Sequence, residues 1–412
     1  MNITLIAGAR PNFMKVAPII KAIKKHNGEV INGDASLNDA NGEKISYRLV
    51  HTGQHYDKNM SDTFFEELGI PAPDVNLGCG GGTQAEQTAH IMVAFEKELL
   101  EHPTDVVLVV GDVTSTMACS IVAKKLNTKV CHVEAGIRSW DLTMPEEINR
   151  MVTDSLADYM FTTSEVANRN LVRQGAELVE SLAFSDESSS KVEGGKSLPE
   201  DKYAYERVPQ KVWHVGNVMI DTLLANRARF RKPEVWDELG LKEKEFVVMT
   251  MHRPANVDEE NHLRAMMEQI IDNVHGLPVI FPIHPRTAKL FYGLWGNEAE
   301  LAKRFPNLHI VEPLGYLEFN YLVERAKAVV TDSGGITEET TVMGVPCITL
   351  RDNTERPETC TVGTNELIGT KPEAIKPALN KLFAGEWKKG AIPELWDGHA
   401  AERIIDILVQ LD

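Results

Sequence analysis

The sequence has few cysteines and no long apolar run, and each scarcity excludes a class of protein. Only five cysteines occur in 412 residues, without a C-x-x-C pair, and Cys119, Cys131 and Cys347 lie in apolar segments. This pattern argues against a disulfide framework or a zinc site and predicts buried free thiols in a reducing compartment. The chain starts with a strand-like segment and no basic region with a long apolar stretch, so we expect a cytoplasmic protein without signal peptide or membrane span.

Positive charge is also scarce, with 43 Lys and Arg against 60 Asp and Glu and a formal net charge of -17. This balance argues against non-specific binding to nucleic acid or to a membrane surface. It leaves room for an anionic small ligand, because a few local cations and helix N-termini can hold a phosphate within an acidic protein.

Several catalytic motifs are missing. The chain has no G-x-x-x-x-G-K-[ST], no G-x-G-x-x-G after its first strand and no G-x-S-x-G. Their absence disfavours a P-loop kinase or ATPase, a nicotinamide enzyme and a hydrolase with a nucleophile elbow. The thirteen histidines show no paired metal spacing. We therefore expect neither a cofactor nor a metal, although the pattern does not exclude a metal.

Short apolar runs alternate with helix-period segments along the whole chain, which predicts an α/β fold with parallel, doubly wound sheets. A chain of this length is expected to form two domains. We predict two Rossmann-like domains facing a cleft, 1–206 and 207–394.

Two polar insertions interrupt the pattern. Residues 185–202 are polar and without apolar period, which predicts an exposed insertion, and 31–46 form a smaller one. The predicted strands are 3–6, 47–51, 106–110, 130–133 and 160–163, then 212–215, 246–251, 279–283, 309–311, 328–331 and 347–350.

Polar and charged residues follow these strands, where ligands bind in open α/β sheets. One such residue is usually a cap or a turn, but seven groups in register across two domains predict a polar cleft. The groups are 8–11 (GARP), 52–55 (TGQH), 111–112 (GD), 134–136 (EAG), 252–253 (HR), 284–285 (HP) and 332–333 (DS).

The segment 331–339 (TDSGGITEE) is typical of a strand, a glycine turn and a helix N-terminus. Glycines let the backbone approach a ligand, and free N–H groups favour an anion, so a diphosphate with a ribose fits, with Glu339 accepting hydrogen bonds from sugar hydroxyls. The alternative is an ordinary turn with Ser333 as N-cap. The two glycines alone do not separate these interpretations.

Both walls of the predicted cleft carry charged side chains. Clustered carboxylates can act as general acid and base when their pKa values are raised. Arg356 can reach a phosphate bidentately, or instead form a surface salt bridge with nearby acidic residues. The wall formed by the first domain offers Asp112, Glu134, Glu146, Glu147, Arg10, Lys15 and Arg138. The wall formed by the second domain offers His252, His284, Ser333, Gly334, Glu339 and Arg356.

The sequence resembles the non-hydrolysing UDP-N-acetylglucosamine 2-epimerases in a series of short segments that occur in the same order and span nearly the whole chain. The matching blocks are 8–11 with Lys15, 52–55, 111–112, 132–138 (HVEAGIR), 145–150 (PEEINR), 216–221 (GNVMID), 252–253, 312–314 (EPL), 331–339 and 351–358 (RDNTERPE).

The resemblance implies a fold of the glycosyltransferase-B type, with a C-terminal helix within 395–412 crossing back to the first domain. It implies interconversion of UDP-N-acetylglucosamine and UDP-N-acetylmannosamine. The route is anti elimination of UDP to a 2-acetamidoglucal, followed by re-addition, with no metal or redox cofactor. It also implies a homodimer that serves cell-surface polysaccharide biosynthesis.

The resemblance further assigns roles to residues. Phe319 would pack on the uracil, although a helix core aromatic is the plainer interpretation. Proton transfer falls to Asp112, Glu134, Glu146 and His252, and substrate binding to Arg10, Lys15, His284, Phe319, Ser333, Gly334, Gly335, Glu339 and Arg356.

Two segments depart from the family pattern. Residues 138–144 are shorter than in the best-known bacterial members. Many members bind a second sugar nucleotide as activator, and here Gln54 and His55 remain as candidate activator residues, but Asp57 and the glycine run 78–82 replace the expected basic side chains. The sequence leaves open an epimerase for a modified UDP-sugar, a hydrolysing epimerase, a glycosyltransferase and a non-catalytic sensor.

Overall fold

The structure, a computed structural model, describes residues 1–29, 44–53, 67–179, 210–283 and 285–411. Within them the chain forms two sheets in which all paired strands are parallel. The predicted α/β fold with two doubly wound domains is confirmed. The predicted insertion 185–202 and most of 31–46 lie outside the described residues.

In the described residues, the first sheet contains eight strands. They are β1 (Asn2–Ala7), β2 (Ser46–His51), β3 (Val75–Asn76), β4 (Val106–Val110), β5 (Lys129–Val133), β6 (Tyr159–Thr162), β7 (Glu177–Leu178) and β8 (Lys211–His214). Their order in the sheet is β3-β2-β1-β4-β5-β6-β8-β7. Around it lie α1 (Arg10–His26), α2 (Gln84–Glu101), α3 (Thr114–Lys125), α4 (Pro145–Leu156) and α5 (Glu165–Val172).

Both faces of this sheet are buried. Along β4, Val106, Leu108 and Val110 belong to one apolar cluster, which includes residues of α1. Val107 and Val109 belong to another, which includes residues of α2 and α3. A strand buried on both faces needs an uninterrupted apolar run, and this is why the strand at 106–110 could be predicted to the residue.

The second sheet contains six strands in the part of the chain that the structure describes. They are β9 (Val247–Thr250), β10 (Val279–Pro282), β11 (Leu308–Val311), β12 (Ala328–Thr331), β13 (Cys347–Thr349) and β14 (Asn365–Leu367). Their order is β11-β10-β9-β12-β13-β14. The helices of this half are α6 (Val218–Asn226), α7 (Glu234–Glu238), α8 (Pro254–Val257), α9 (Glu260–Asn273), α10 (Pro285–Leu294), α11 (Glu298–Arg304), α12 (Tyr316–Arg325), α13 (Gly334–Met343), α14 (Pro357–Thr361), α15 (Ile375–Phe383) and α16 (Ala400–Gln410), with 3₁₀ turns at Arg227–Arg229 and Pro372–Ala374.

The strand predicted at 212–215 belongs to the first sheet, so its placement in the second series is wrong. β8 pairs with β6 and β7. The apolar pattern predicts a strand but carries no information about its partner, and the polar segment before it suggested a domain change. We propose that the first domain extends through β8 instead of ending at residue 206.

The C-terminal helix α16 packs on the first domain. Its Ala400, Ile404 and Leu408 share an apolar cluster with Ile3 and Ile19. Asp221, on α6, accepts hydrogen bonds from the first two backbone N–H groups of this helix, at 3.1 and 2.7 Å. The chain therefore returns to its first half after completing the second sheet.

The structure bears on two predictions that were made from composition, one about the cysteines and one about membrane spans. All five cysteines are free thiols, as predicted; four are buried, and Cys360 is only half-buried. In the part of the chain that the structure describes, no helix combines the length and the apolar character that crossing a bilayer requires.

Candidate active site

The carboxyl ends of the central strands meet at one edge of each sheet. In the first sheet Val110 is in register with Val133, and in the second Thr250 is in register with Thr331. The residues that follow these four positions include Asp112, Glu134, His252 and Ser333. Ion pairs between the two halves then bring the two edges together, as the strand-end pattern predicted.

Asp112 follows a turn at Gly111, which adopts a left-handed φ of +68°. Its carboxylate pairs with the guanidinium of Arg150 on α4, and its carbonyl accepts a hydrogen bond of 2.8 Å from the Asn149 side chain. Burial raises the pKa of Asp112, but the positive charges of Arg150 and Lys15 outweigh burial, so the net shift is downward. An ionised carboxylate therefore stands at the cleft.

Glu134 is buried and carries unusual backbone geometry. Its φ of +71° lies in the left-handed region, which is strained for a residue other than glycine. Its N–H and that of Ala135 both donate to the Phe161 carbonyl at 3.0 Å. The carboxylate pairs with Lys15 and lies 2.6 Å from a terminal nitrogen of Arg356. Such strain at a charged residue is typical of functional sites.

Arg356 joins the two halves of the molecule. It is 8% exposed, and its Nε lies 2.6 Å from the Glu338 carboxylate on α13, while its other side contacts Glu134. Burial alone lowers the pKa of Arg356, but the surrounding carboxylates raise it well above its usual value. The predicted alternative of a surface salt bridge is therefore wrong.

A second series of ion pairs crosses the cleft beside the pairs that Arg356 forms with Glu134 and Glu338. Arg150, which holds Asp112, lies 3.8 Å from the Glu355 carboxylate. Glu355 accepts bidentate hydrogen bonds of 2.8 and 2.9 Å from Arg351. Burial raises the pKa of Glu355, yet the hydrogen bonds from Arg351 and nearby positive charges bring it to about 2.

The adjacent residues Glu146 and Glu147 occupy different environments. Glu146 is exposed in the first turn of α4, where it is close enough to act on the pKa of Arg253 from the other half. Glu147 is fully buried, accepting hydrogen bonds from the Ser139 and Trp140 backbone at 2.9 and 3.1 Å. Glu146 is therefore available to a ligand, whereas Glu147 holds the preceding loop.

Asp332 organises the opposite strand end. Its carboxylate accepts hydrogen bonds from the backbone N–H groups of His252 and Arg253, at 3.0 and 2.8 Å. Burial raises the pKa of Asp332, but the hydrogen bonds from His252 and its neighbours bring it to about 2. Nδ1 of His252 lies 2.9 Å from the same carboxylate, although the ring is 63% exposed. The imidazole is thus oriented and remains accessible.

The glycine turn presents an uncapped helix N-terminus. Ser333 occupies the N-cap position of α13, as the alternative interpretation predicted, but its side chain makes no capping hydrogen bond. A Cβ added to Gly334 would lie 3.2 Å from a terminal nitrogen of Arg356. Gly334 thus brings the first-turn backbone beside a guanidinium, an arrangement that suits an anion, whereas a Cβ at Gly335 would meet nothing within 4 Å.

Glu339 and Phe319 are two further predicted binding residues of the second half of the molecule. Glu339 is 4% exposed and accepts a hydrogen bond of 2.9 Å from the Tyr316 hydroxyl. Burial raises the pKa of Glu339 to about 7, although hydrogen bonds from Tyr316 and Asn320 oppose the shift. Phe319 is half-buried and packs against the apolar cluster that contains Phe246 and Leu322, so part of its surface serves the core.

The remaining predicted residues are described only in part. Gln54, His55 and His284 lie outside the described residues, and of Arg10 only the backbone, at the start of α1, is described. Among the residues with described positions, no group of three or more His, Cys, Asp or Glu side chains is arranged to hold a metal ion.

Comparison with known proteins decides the family. A family model described as UDP-N-acetylglucosamine 2-epimerase matches residues 38–409. The chain belongs to that family. It is 37% identical to UDP-N-acetylglucosamine 2-epimerase of Methanocaldococcus jannaschii, with 99% of each chain covered. It is also 34% identical to UDP-2,3-diacetamido-2,3-dideoxy-D-glucuronate 2-epimerase of Pseudomonas aeruginosa, with 100% of each covered.

A solved structure supports the same conclusion. The M. jannaschii UDP-GlcNAc 2-epimerase in complex with UDP-GlcNAc and UDP is similar to this epimerase with a TM-score of 0.78 and 36% identity, covering 100% of both chains. The predicted resemblance and the glycosyltransferase-B type of fold are therefore confirmed. The protein is an enzyme of the epimerase class.

Sequence reasoning missed several charged residues that build the epimerase site. Arg150, Glu338 and Glu355 received no role, yet each contacts or neighbours a predicted site residue. One signal was available on α4, where Glu147, Arg150 and Asp154 follow the helical spacing i, i+3, i+7. All three are buried, while the apolar Ile148 and Met151 are exposed, so this helix turns its charged face inward.

Proposed function

We propose that this epimerase interconverts UDP-N-acetylglucosamine and UDP-N-acetylmannosamine without net hydrolysis, by anti elimination of UDP and re-addition to the 2-acetamidoglucal. The observation that carries the proposal is the position of Arg356. It lies between the uncapped start of α13 and the Glu134 carboxylate. A diphosphate bound at that helix would have its departing charge next to a group able to move a proton.

Departure of UDP needs strong assistance, because the proton on carbon 2 is weakly acidic. Lys15, Arg356 and the first-turn N–H groups of α13 supply fixed positive charge and dipoles where the negative charge of the leaving diphosphate develops. Preorganised donors of this kind are a large source of catalysis in a site closed to water. Arg10 is assigned to the same task from its place in the sequence.

Inversion at carbon 2 requires proton donors and acceptors on both faces of the sugar. Asp112 and Glu134 approach from the ends of β4 and β5, while Glu146 and His252 are accessible at the rim. We assign proton transfer to these four residues and ribose binding to Glu339. Phe319, His284 and Ser333 complete the substrate contacts in this assignment.

Solvent isotope incorporation tests the reaction type. The enzyme is incubated with UDP-N-acetylglucosamine alone in deuterated water, and the products are identified by NMR and mass spectrometry. We expect both UDP-sugars with deuterium at carbon 2 and little free N-acetylmannosamine. Stoichiometric free sugar would show a hydrolysing epimerase, and turnover only with an added sugar acceptor would show a glycosyltransferase.

A modified UDP-sugar is the second candidate substrate. The Pseudomonas aeruginosa relative named for UDP-2,3-diacetamido-2,3-dideoxy-D-glucuronate has an identity of 34%, close to the 37% of the relative named for UDP-N-acetylglucosamine. The two substrates are compared by kcat/KM under identical conditions. A higher value for the diacetamido glucuronate would move the assignment to that sugar.

We further propose a cytoplasmic homodimer that supplies precursors for cell-surface polysaccharide. The five free thiols suit a reducing compartment. The dimer and the pathway follow from the family resemblance. Light scattering of the purified protein tests the dimer, since a monomeric mass at working concentration would contradict it.

A further inference from the structure

His132 lies in β5, two residues before Glu134, and is fully buried. Both of its ring nitrogens are within hydrogen-bond distance of oxygen atoms. Nδ1 lies 2.6 Å from the Asp154 carboxylate on α4, and Nε2 lies 2.8 Å from the Gly111 carbonyl. The mechanism assigned above uses neither His132 nor Asp154.

The two contacts impose a condition on the imidazole. A carbonyl oxygen only accepts hydrogen bonds, and so does an ionised carboxylate, whereas a neutral imidazole has a single N–H. Burial raises the pKa of Asp154, but the charges and hydrogen bonds of His132 and Arg138 outweigh burial and lower it overall, so the carboxylate is ionised. Both ring nitrogens must then donate.

We propose that His132 is held as a buried imidazolium which, together with Asp154, fixes the two turns that present Asp112 and Glu134 to the substrate. His132 and Asp154 are then positioning residues of the epimerase reaction, and this role rests on the function proposed above. The ring faces Asp154 from α4 and the Gly111 carbonyl from the end of β4. Arg138, after β5, faces the same carboxylate at 2.6 Å.

The first of these turns is at Gly111. Its carbonyl is held by His132, and its N–H donates to the Val133 carbonyl at 3.0 Å. Asp112 is the next residue, so the imidazolium fixes the peptide bond from which that side chain projects. Loss of the donor would leave a buried carbonyl without its partner and free the turn to move.

The second turn follows Glu134. Gly136 has a left-handed φ of +76°, and its N–H donates to the other oxygen of Asp154 at 3.1 Å. Its carbonyl accepts a hydrogen bond of 2.9 Å from Asn170. Because Glu134 itself is in a strained left-handed conformation, the contacts on both sides of it must hold that conformation in place. Asp154 thus connects the turn after β5 to the turn after β4 through one imidazole.

Asp154→Asn is the variant that tests the pair with little change in shape. Its amide oxygen can still accept from Arg138 and Gly136, but its NH₂ group would donate to Nδ1 and convert His132 to the neutral ring. The neutral ring still donates Nε2–H to the Gly111 carbonyl, but this hydrogen bond is no longer charge-assisted and holds the turn less firmly. We expect kcat to fall on the order of 100-fold, the scale of a small misplacement of catalytic groups. We expect KM and UDP affinity to stay within about threefold, because ground-state binding is not removed.

Asp221→Asn is the matched control. Asp221 is likewise buried and accepts two backbone N–H groups, those of Ala400 and Ala401, but it contacts none of the site residues described here. This variant should leave kcat unchanged. Wild-type kcat in Asp154→Asn together with a loss of Tm would show a merely structural role and overturn the positioning proposal.

NMR of histidine-labelled wild-type protein tests the charge state without using activity. The His132 ring is assigned from its proximity to the Gly111 and Gly136 amide protons. We expect two slowly exchanging N–H protons on the ring at neutral pH, because both ring nitrogens donate. A single ring N–H would overturn the imidazolium. Two ring N–H protons in a protein without epimerase turnover would overturn the proposed function and leave the imidazolium standing.

Discussion

The Glu134 carboxylate and the Arg356 guanidinium lie 2.6 Å apart, although they are 222 residues apart in the sequence and belong to opposite halves of the molecule. Both side chains are buried. Removing one member of such a pair leaves an uncompensated charge, so the contact links binding in one half to the geometry of the other. A diphosphate bound at the start of α13, as proposed, would have to share or replace Glu134 as the partner of Arg356.

Arg356→Ala tests this relationship. We expect UDP binding to weaken by about 1.5–3 kcal/mol, the range for a hydrogen bond to a charged group. We also expect the free energy of unfolding to fall by about 3–5 kcal/mol, because Glu134 and Glu338 lose a buried partner. Calorimetric titration with UDP and denaturant unfolding measure the two effects.

Arg304→Ala is the matched control for that variant. Arg304 pairs with Asp272 on the surface, at 2.9 Å with 44% of its side chain exposed. Its removal should cost at most about 1 kcal/mol of stability and leave UDP binding unchanged. Wild-type affinity for UDP in Arg356→Ala would contradict the assignment of the diphosphate site.

Asp112→Asn, Glu134→Gln and Glu146→Gln should each reduce turnover at least about 100-fold, the scale of lost acid–base catalysis. UDP binding should survive in all three. In Glu134→Gln it should be as tight as in the wild type or tighter, because the competing negative charge beside Lys15 and Arg356 is gone. Steady-state kinetics and UDP titration measure this, with the exposed Glu165→Gln as control. Near-normal turnover in all three variants would refute the site.

The raised pKa of Glu339 predicts a pH dependence of stability. The pKa is about 7 in the folded protein, where burial raises it, and about 4.3 in an unfolded chain. The stabilising contribution is therefore complete below about pH 4.3 and is lost as the pH rises through about 7. Relative to the wild type, Glu339→Gln should gain about 2–3 kcal/mol of unfolding free energy between about pH 5 and about pH 8.

Urea unfolding at a series of pH values measures this difference, again with Glu165→Gln as control. Saturating UDP should reduce the difference if ribose hydroxyls donate to the ionised Glu339. A difference between variant and wild type that does not change with pH would show that Glu339 does not titrate in this range.

The regular parts of the fold could be predicted from the sequence because burial on both faces leaves a plain apolar pattern. The strand at 328–331 was predicted with the bounds that β12 has. The two-residue strands β3 and β7 and the three-residue β14 were missed. These segments lie at or near the sheet edges and are too short to show a period.

Residues of the candidate site could be predicted only where a structural rule relates a sequence pattern to a position in the fold. Asp112 and Glu134 follow apolar strands, so the strand-end rule located them. Arg150 and Asp154 were beyond such a rule. Their helical spacing with Glu147 was a signal, but charged residues at that spacing usually mark a solvent-facing side. Their burial depends on partners far away in the sequence, such as Glu355 for Arg150. Periodicity cannot supply those partners.

The last prediction concerns activation by a second sugar nucleotide, to which the glycine run 78–82 offers backbone N–H groups. Gly78, Gly81 and Gly82 have left-handed φ values of +66°, +82° and +83°, and the run leads to α2. There Thr83 and Glu86 form a capping box, with the Thr83 N–H donating to Glu86 at 2.8 Å. This hydrogen bond lowers the pKa of Glu86, so an ionised carboxylate lies beside Gly82, where it would repel a diphosphate.

We therefore expect weak activation or none. The forward rate should depend hyperbolically on UDP-N-acetylglucosamine, and the reverse reaction from UDP-N-acetylmannosamine should start without added activator. Glu86→Gln serves as the matched variant, because it removes the charge that faces the run and should allow tighter binding of an anion there. A wild-type Hill coefficient clearly above one, with a reverse reaction that stays silent until UDP-N-acetylglucosamine is added, would show that backbone N–H groups of the run bind the second diphosphate despite Glu86.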